Sequence, residues 1–192
     1  MDSLDDVEVI AFPDAAAWEA WLAANHERAA GVWLKMAKKG SGIPSVTDDE
    51  VVDIGLCWGW ISGQRRSLDG MHYLQKYVPR RPKSLWSRVN VEKVETLSAA
   101  GRMREPGLAE VRAAQADGRW EAAYESQKRA TVPADVIAAL AEKERARDVF
   151  EALDKTSQYL LYLPVLQART PKTRAARVEK LVSMLEVGEL PG

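Results

Sequence analysis

CWGWISGQRRSLDGMHYLQKYVPRRPKSLWSRVN, residues 57–90, decides how the rest of the chain reads. Two strand-like runs, Trp60 to Arg66 and Met71 to Val78, flank Ser67-Leu68-Asp69-Gly70, whose Asp-Gly step marks a β-hairpin turn. Glycines 55, 59 and 63 punctuate the approach to the first run and point to close backbone contacts there. Pro79 and Pro82 stop the second run, and beyond them the apolar spacing changes from strand-like to helical and stays so.

Upstream of the hairpin, Asp14 suits the N-cap of a helix with Trp18, Trp21, Leu22 and Asn25 on one face. Gly31 ends that helix, and Val32 to Met36 alternates as a strand. KKGSGIPS, residues 38–45, is a loop by composition. Thr47-Asp48-Asp49-Glu50 then forms a capping box opening a short helix with Val51, Ile54 and Trp58 inward. Downstream, Val91, Val94 and Leu97 share a helix face ended by Gly101, and Pro106 starts another with Leu108 and Val111 inward. Trp120, Ala123 and Tyr124 give a further short apolar face. Pro133 opens a segment carrying Ile137 and Leu140 on to Phe150 and Leu153. Tyr159, Leu160, Leu163 and Leu166 predict a helix kinked at Pro164. Thr170-Pro171 starts the last helix, which buries Val178, Leu181, Val182 and Leu185. The fold class is α+β: a small, mainly antiparallel sheet with helices in the N-terminal half, and a helical C-terminal half. Residues 1–82 form the α/β part and 83–192 the helical part, expected to pack together.

At 192 residues, 46% hydrophobic and 29% charged, the composition is that of a globular protein. The 28 acidic residues nearly cancel the 27 Lys and Arg, so net charge predicts no general adhesion to nucleic acid or membrane. The distribution is uneven. Residues 2–27 hold seven carboxylates and no Lys or Arg, whereas Arg65, Arg66, Lys76, Arg80, Arg81, Lys83 and Arg88 face Asp69 alone between Gln64 and Asn90. The lone Cys57 excludes an internal disulfide and fits a reducing compartment. No signal peptide and no membrane span are read, so a cytoplasmic location is expected.

The basic stretch is the leading candidate site. Ser84 or Ser87 can cap the following helix, and Arg80, Arg81, Lys83 and Arg88 around that terminus can hold a phosphate, sulfate or carboxylate, with Asn90 as a neutral donor. Trp60 lies near enough in sequence to offer a stacking face. Arg174, in a second basic cluster with Arg169, Lys172 and Arg177, can clamp another anion. The bland alternatives are that the arginines pair with the acidic N-terminal region, that the second cluster is a solvated helix face, and that the tryptophans fill a core. His26 and His72 lack metal-ligand spacing, nucleotide fingerprints are absent, and neither a cofactor nor a metal is expected.

Six strings resemble one known family in order: GVWLKMAKKGSG (31–42), LCWGWISG (56–63), YVPRRPKSLWSRVN (77–90), AGRM (100–103), DGRWEAAY (117–124) and TPKTRAARVEKLVSML (170–185). The chain resembles the YdeI/OmpD-associated family, also labelled bacteriocin-protection proteins, from about residue 12 to 188. The resemblance implies a binding or stress-protection role against bacteriocins and cationic antimicrobial peptides, with no settled enzymatic activity. It also implies an acidic residue where this chain has Ser62. The reading is a binding protein, with an anionic small molecule as the expected partner. The alternatives are an enzyme on a phosphorylated or carboxylated substrate, and a nucleic-acid-binding module. Membrane insertion is not expected.

Overall fold

The structure, a computed structural model, describes residues 3–188. The α+β expectation holds: strands occupy the N-terminal half and helices dominate toward the C-terminus. The chain divides into two compact units. One runs through Ser84 and resumes over Asn90–Glu121; the other comprises Leu85–Val89 and the chain from Ala122 onward.

The first unit is built on five strands, β1 (Ser3–Leu4), β2 (Val7–Ile10), β3 (Val32–Ala37), β4 (Trp60–Ser67) and β5 (His72–Pro79), in the order β1-β2-β3-β5-β4 among the described residues. β2 and β3 are parallel, and every other neighbouring pair is antiparallel. A parallel pair needs a crossover. Here it is α1 (Ala15–Asn25), started by Asp14, whose Oδ1 accepts the Ala17 N–H at 2.8 Å. Strands β1 and β2 were not expected from the sequence.

Alternation along β3 feeds two cores on opposite sheet faces. Val32, Leu34 and Met36 join Trp18 and Leu22 of α1, while Trp33 packs with Val7 and Leu74. Trp18 is fully buried, stacked on Trp21 at 5.5 Å and set edge-on to Trp60 and Tyr77. The capping box forms as read: the Thr47 side chain accepts the Glu50 N–H, and Glu50 accepts the Thr47 N–H at 2.8 Å, opening α2 (Asp48–Cys57). The hairpin contains a bulge between Ser62 and Arg65. Buried Gln75 secures it by donating to the Gly63 and Gln64 carbonyls and accepting from Arg65 Nε at 2.7 Å. Two further helices follow, α3 (Arg88–Ala99) and α4 (Glu105–Ala116). Gly107 of α4 lies so close to the end of α2 that a Cβ there would stand 2.2 Å from the Cys57 carbonyl oxygen.

The second unit contains α5 (Ala134–Ala141), α6 (Glu144–Ala152), α7 (Lys155–Leu166) and α8 (Pro171–Val187). Val136, Phe150, Tyr162, Val165, Val182 and Leu185 lie in their shared core. Asp154 and Thr170 cap α7 and α8 through their side chains. Several sequence expectations are corrected here. The segment from Pro133 to Leu153 divides into two helices; it buries Leu140 and Phe150 as expected, but Val136 takes the core position expected of Ile137, which is 56% exposed. Helix α7 contains Pro164, as expected, but buries Leu161 and Tyr162 where Leu160 was expected inward. Tyr124 lies outside any helix; it exchanges backbone hydrogen bonds with Trp86 and Arg88 in a short parallel bridge.

Candidate functional site

Much of the positive surplus around the hairpin is neutralised within the first unit. Arg66 pairs with Asp5 of the acidic N-terminal region at 2.9 Å, and Arg65 pairs with Asp48, outside that region, at 2.5 Å. Arg66 and Lys76 also cover Trp33, with the guanidinium carbon 5.1 Å and the amine 5.5 Å from its ring.

Past β5 the chain makes a turn closed by the Ser84 N–H donating to the Arg81 carbonyl at 3.0 Å. Arg80 enters it buried, only 4% exposed, with its backbone N–H on the Gly59 carbonyl at 2.9 Å. Arg81 and Lys83 are exposed, and Lys83 takes the left-handed conformation at φ 65°. A second buried arginine, Arg119, grips the turn from outside the predicted stretch. Its Nε donates to both Asp117 carboxylate oxygens at 2.8 Å, and its Nη1 donates to the Ser84 carbonyl at 2.8 Å. The Ser84 hydroxyl is buried and has no hydrogen-bond partner among the described residues. Sequence reasoning quoted DGRW but missed Arg119, because a short i,i+2 acid–base spacing says only that a turn is present.

The other predicted residues scatter. Ser84 does not cap α3, which begins four residues later at Arg88; the Arg88 N–H goes to the Tyr124 carbonyl at 2.8 Å. Ser87 lies in the bridge with Tyr124, and the Arg88 guanidinium stands 3.9 Å from Glu125. Asn90 is partly buried on α3. Trp60 is corrected as a stacking face: it is 1% exposed in the aromatic core, and its indole N–H donates to the His26 carbonyl at 2.8 Å. Arg174 belongs to the second unit and is held by Asp135 through two bonds of 2.6 and 2.8 Å.

Two concavities carry the remaining chemistry. In the first unit, the 38–45 loop arches over a cleft of about 530 Å³ bordered by Lys38, Lys39, Ser41, Thr47, Asp48 and Tyr73. In the second, a groove of about 680 Å³ runs between α5 and α8. Ala139, Ala175, Val178 and Val182 line it with apolar surface. Its rim carries Asp135 paired with Arg174, and Lys143 paired with Glu186 at 3.3 Å. The Arg174 guanidinium pulls the Asp135 carboxyl below the ordinary carboxylate range. Glu142 and Glu179 also line the groove and have no ion-pair or hydrogen-bond partner among the described residues, so its uncompensated charge is acidic.

Among the described residues, no three His, Cys, Asp or Glu side chains gather to hold a metal. Cys57 is 2% exposed and burial pushes its thiol pKa up, away from nucleophilic behaviour. No helix among the described residues is long and apolar enough to cross a membrane.

Residues 10–110 match the family model of a domain of unknown function, DUF8412, and residues 129–188 match the bacteriocin-protection, YdeI or OmpD-associated family. The chain belongs to the DUF8412 family and carries a YdeI/OmpD-associated domain. That domain contains all four helices of the second unit, and with them the acidic groove. The resemblance read over residues 12–188 is thus met by the YdeI/OmpD-associated family over 129–188, while the strings at 31–42, 56–63, 77–90 and 100–103 fall in the DUF8412 domain. No curated protein and no solved structure matches the chain.

Proposed function

We propose that this is a peptide-binding protein whose YdeI/OmpD-associated domain captures cationic amphipathic segments in the α5–α8 groove. One observation carries the reading: an apolar floor is rimmed by two carboxylates, Glu142 and Glu179, that no cation of the described residues neutralises. An amphipathic helix laid along the groove would bury its apolar stripe on Ala139, Val178 and Val182 and set Lys or Arg side chains beside the two glutamates. The bacteriocin-protection label of the matched family fits such capture, since binding would sequester a cationic peptide. Exposed ion pairs contribute only about 0.2–1 kcal/mol each, so the apolar floor supplies most of the affinity and the rim supplies charge selectivity.

The test is fluorescence anisotropy with a labelled Leu/Lys amphipathic peptide and with a Leu/Glu version of the same pattern. The Lys peptide binds and the Glu peptide does not. The double reversal Glu142→Lys/Glu179→Lys weakens the Lys peptide about tenfold or more at low salt and lets the Glu peptide bind. Equal binding of both peptides by the native protein, or no change on reversal, refutes the reading.

A second reading has its own observation. The partnerless Ser84 hydroxyl, in a turn flanked by exposed Arg81 and Lys83, supports anion binding in the first unit. Stabilisation by sulfate that disappears in both Arg81→Ala and Ser84→Ala is its signature.

A further inference from the structure

We propose that the cleft beneath the Lys38–Ser45 loop is a binding site for a small phosphorylated polyol, with the phosphate at the Lys39–Gly42 wall and the hydroxyls toward Asp48 and Tyr73. The loop is a fixed structure. The Lys38 N–H donates to the Met71 carbonyl and its Nζ to the Asp69 carbonyl, both at 2.7 Å, which ties one end to the hairpin. At the other end, Ser45 Oγ accepts the Ala37 N–H at 3.1 Å, and the Val46 N–H donates to the Phe12 carbonyl at 3.1 Å. The cleft of about 530 Å³ so enclosed lies within the range of small-molecule sites, roughly 300–1,000 Å³.

Its two walls differ in charge. On one side stand the exposed Lys39 ammonium and the Gly40-Ser41-Gly42 backbone, where both glycines take left-handed conformations at φ 85° and 72°. The Ser41 N–H already donates to the Lys38 carbonyl at 3.1 Å, so the Gly40 and Gly42 N–H groups are the backbone donors left for an anion. The lining also holds Asp48 and Tyr73. Arg65 holds Asp48 at 2.5 Å and lies 4.5 Å over the Tyr73 ring, so carboxylate, guanidinium and phenol form one rigid set. The neighbouring Asp49 is answered by Lys93 at 3.4 Å. Both carboxylates of the cleft thus have cationic partners, which leaves Lys38 and Lys39 as its uncompensated charge.

The anion cannot sit on the start of α2. Glu50 already fills that helix end by accepting from the Thr47 N–H and hydroxyl, each at 2.8 Å, and Asp48 and Asp49 lie in the same first turn. With its donors taken up by the capping box, this turn leaves the lysine wall as the place for a phosphate. The same acidic turn suits the other end of the ligand, because carboxylates and phenols accept hydrogen bonds from sugar hydroxyls. A ligand with an anionic head and a hydroxylated body satisfies both walls; a plain anion satisfies one.

Ribose 5-phosphate, ribose and inorganic phosphate would be titrated into the ¹⁵N-labelled full chain, with amide shifts as the readout. Ribose 5-phosphate is expected to move the Gly40 and Gly42 amides and to bind more tightly than inorganic phosphate, while ribose leaves them unmoved. Lys39→Ala, an exposed change that leaves folding intact, weakens ribose 5-phosphate about tenfold, in line with one lost charge-assisted bond. Tyr73→Phe keeps the ring under Arg65 and narrows the gap between the sugar phosphate and inorganic phosphate. The proposal is overturned if the two glycine amides stay still at millimolar ribose 5-phosphate. It is equally overturned if Lys39→Ala binds like the native chain, or if the effect vanishes in Arg81→Ala but persists in Lys39→Ala. Peptide binding in the α5–α8 groove is measured separately and stands or falls by itself.

Discussion

Replacing Gly107 by alanine sets two opposing effects of known size against each other. Helix propensity favours the change: glycine inside a helix costs about 1 kcal/mol relative to alanine, and Gly107 is the third residue of α4. Packing opposes it. The new Cβ would lie 2.2 Å from the Cys57 oxygen and 2.6 Å from the Leu56 oxygen, well inside contact distance, and both are backbone atoms that no rotamer change can move. Both carbonyls are also in use, since Cys57 accepts the Arg104 N–H at 3.1 Å and Leu56 accepts the Gly59 N–H at 3.2 Å. Backing α4 away from α2 would stretch the first of these, worth about 1 kcal/mol, on top of an overpacking cost near 3 kcal/mol. After the propensity gain, Gly107→Ala should lose roughly 2–3 kcal/mol, or about 5–10 °C in Tm. Urea unfolding followed by tryptophan fluorescence reads this directly, because four of the buried tryptophans, Trp18, Trp33, Trp60 and Trp86, are nearly inaccessible to water. The exposed Ala113→Gly on the same helix is the control and should lose only about 1 kcal/mol. A Gly107→Ala protein as stable as the parent would refute the close approach of α2 and α4.

Stability should also fall at both ends of the pH scale for reasons that can be separated by unit. Burial, reinforced by the Asp48 carboxylate, raises the Tyr77 pKa, so the fold favours the neutral phenol. This contribution is intact below the unfolded value near 10 and is lost as pH rises above it, and Tyr77→Phe should flatten that alkaline loss. Asp135 is shifted the other way by Arg174, so its contribution is present above the unfolded value near 4 and disappears as pH falls through the lower folded one. Asp135→Asn should remove that part of the acid dependence, measured as urea midpoints over a pH series.

How much of this was legible in the sequence follows from how local each signal is. The capping box at Thr47 and Glu50 and the Asp-Gly hairpin are made by residues a few positions apart, so spacing alone reveals them. Strands β1 and β2 span two and four residues among carboxylates, too short to show a period, and β2 is placed by its parallel register with Trp33 and Leu34. The apolar spacing of Trp120, Ala123 and Tyr124 imitates a helix face, but the Tyr124 N–H is committed to the distant Trp86 carbonyl. Trp60 misleads for a related reason. It neighbours the arginines in sequence, yet its ring lies in the core, and the bulge between Ser62 and Arg65 shifts the alternation by one residue so that Arg66 lies on the opposite sheet face with Trp33.

The charge surplus of residues 64–90 shows the same limit at the level of function. Counting could establish that Arg65, Arg66, Arg81 and Lys83 needed anionic partners, but only the fold allocates them. Arg65 and Arg66 are consumed by Asp48 and Asp5, the latter from the turn between two strands that sequence reading did not foresee. The pairing of Arg65 has a second consequence, for it cancels a carboxylate that would otherwise offset the lysines of the 38–45 cleft. A glycine-rich loop, one aspartate and one tyrosine, remote from one another in sequence, thereby become two chemically distinct walls around one cavity. If Arg65 is what tunes that cleft, Arg65→Met should reverse its preference: the freed Asp48 charge would weaken ribose 5-phosphate even though Lys39 and the loop are untouched. Unchanged phosphate affinity in Arg65→Met would mean that Asp48 does not face the ligand, and the assignment of the hydroxyl wall would have to be withdrawn.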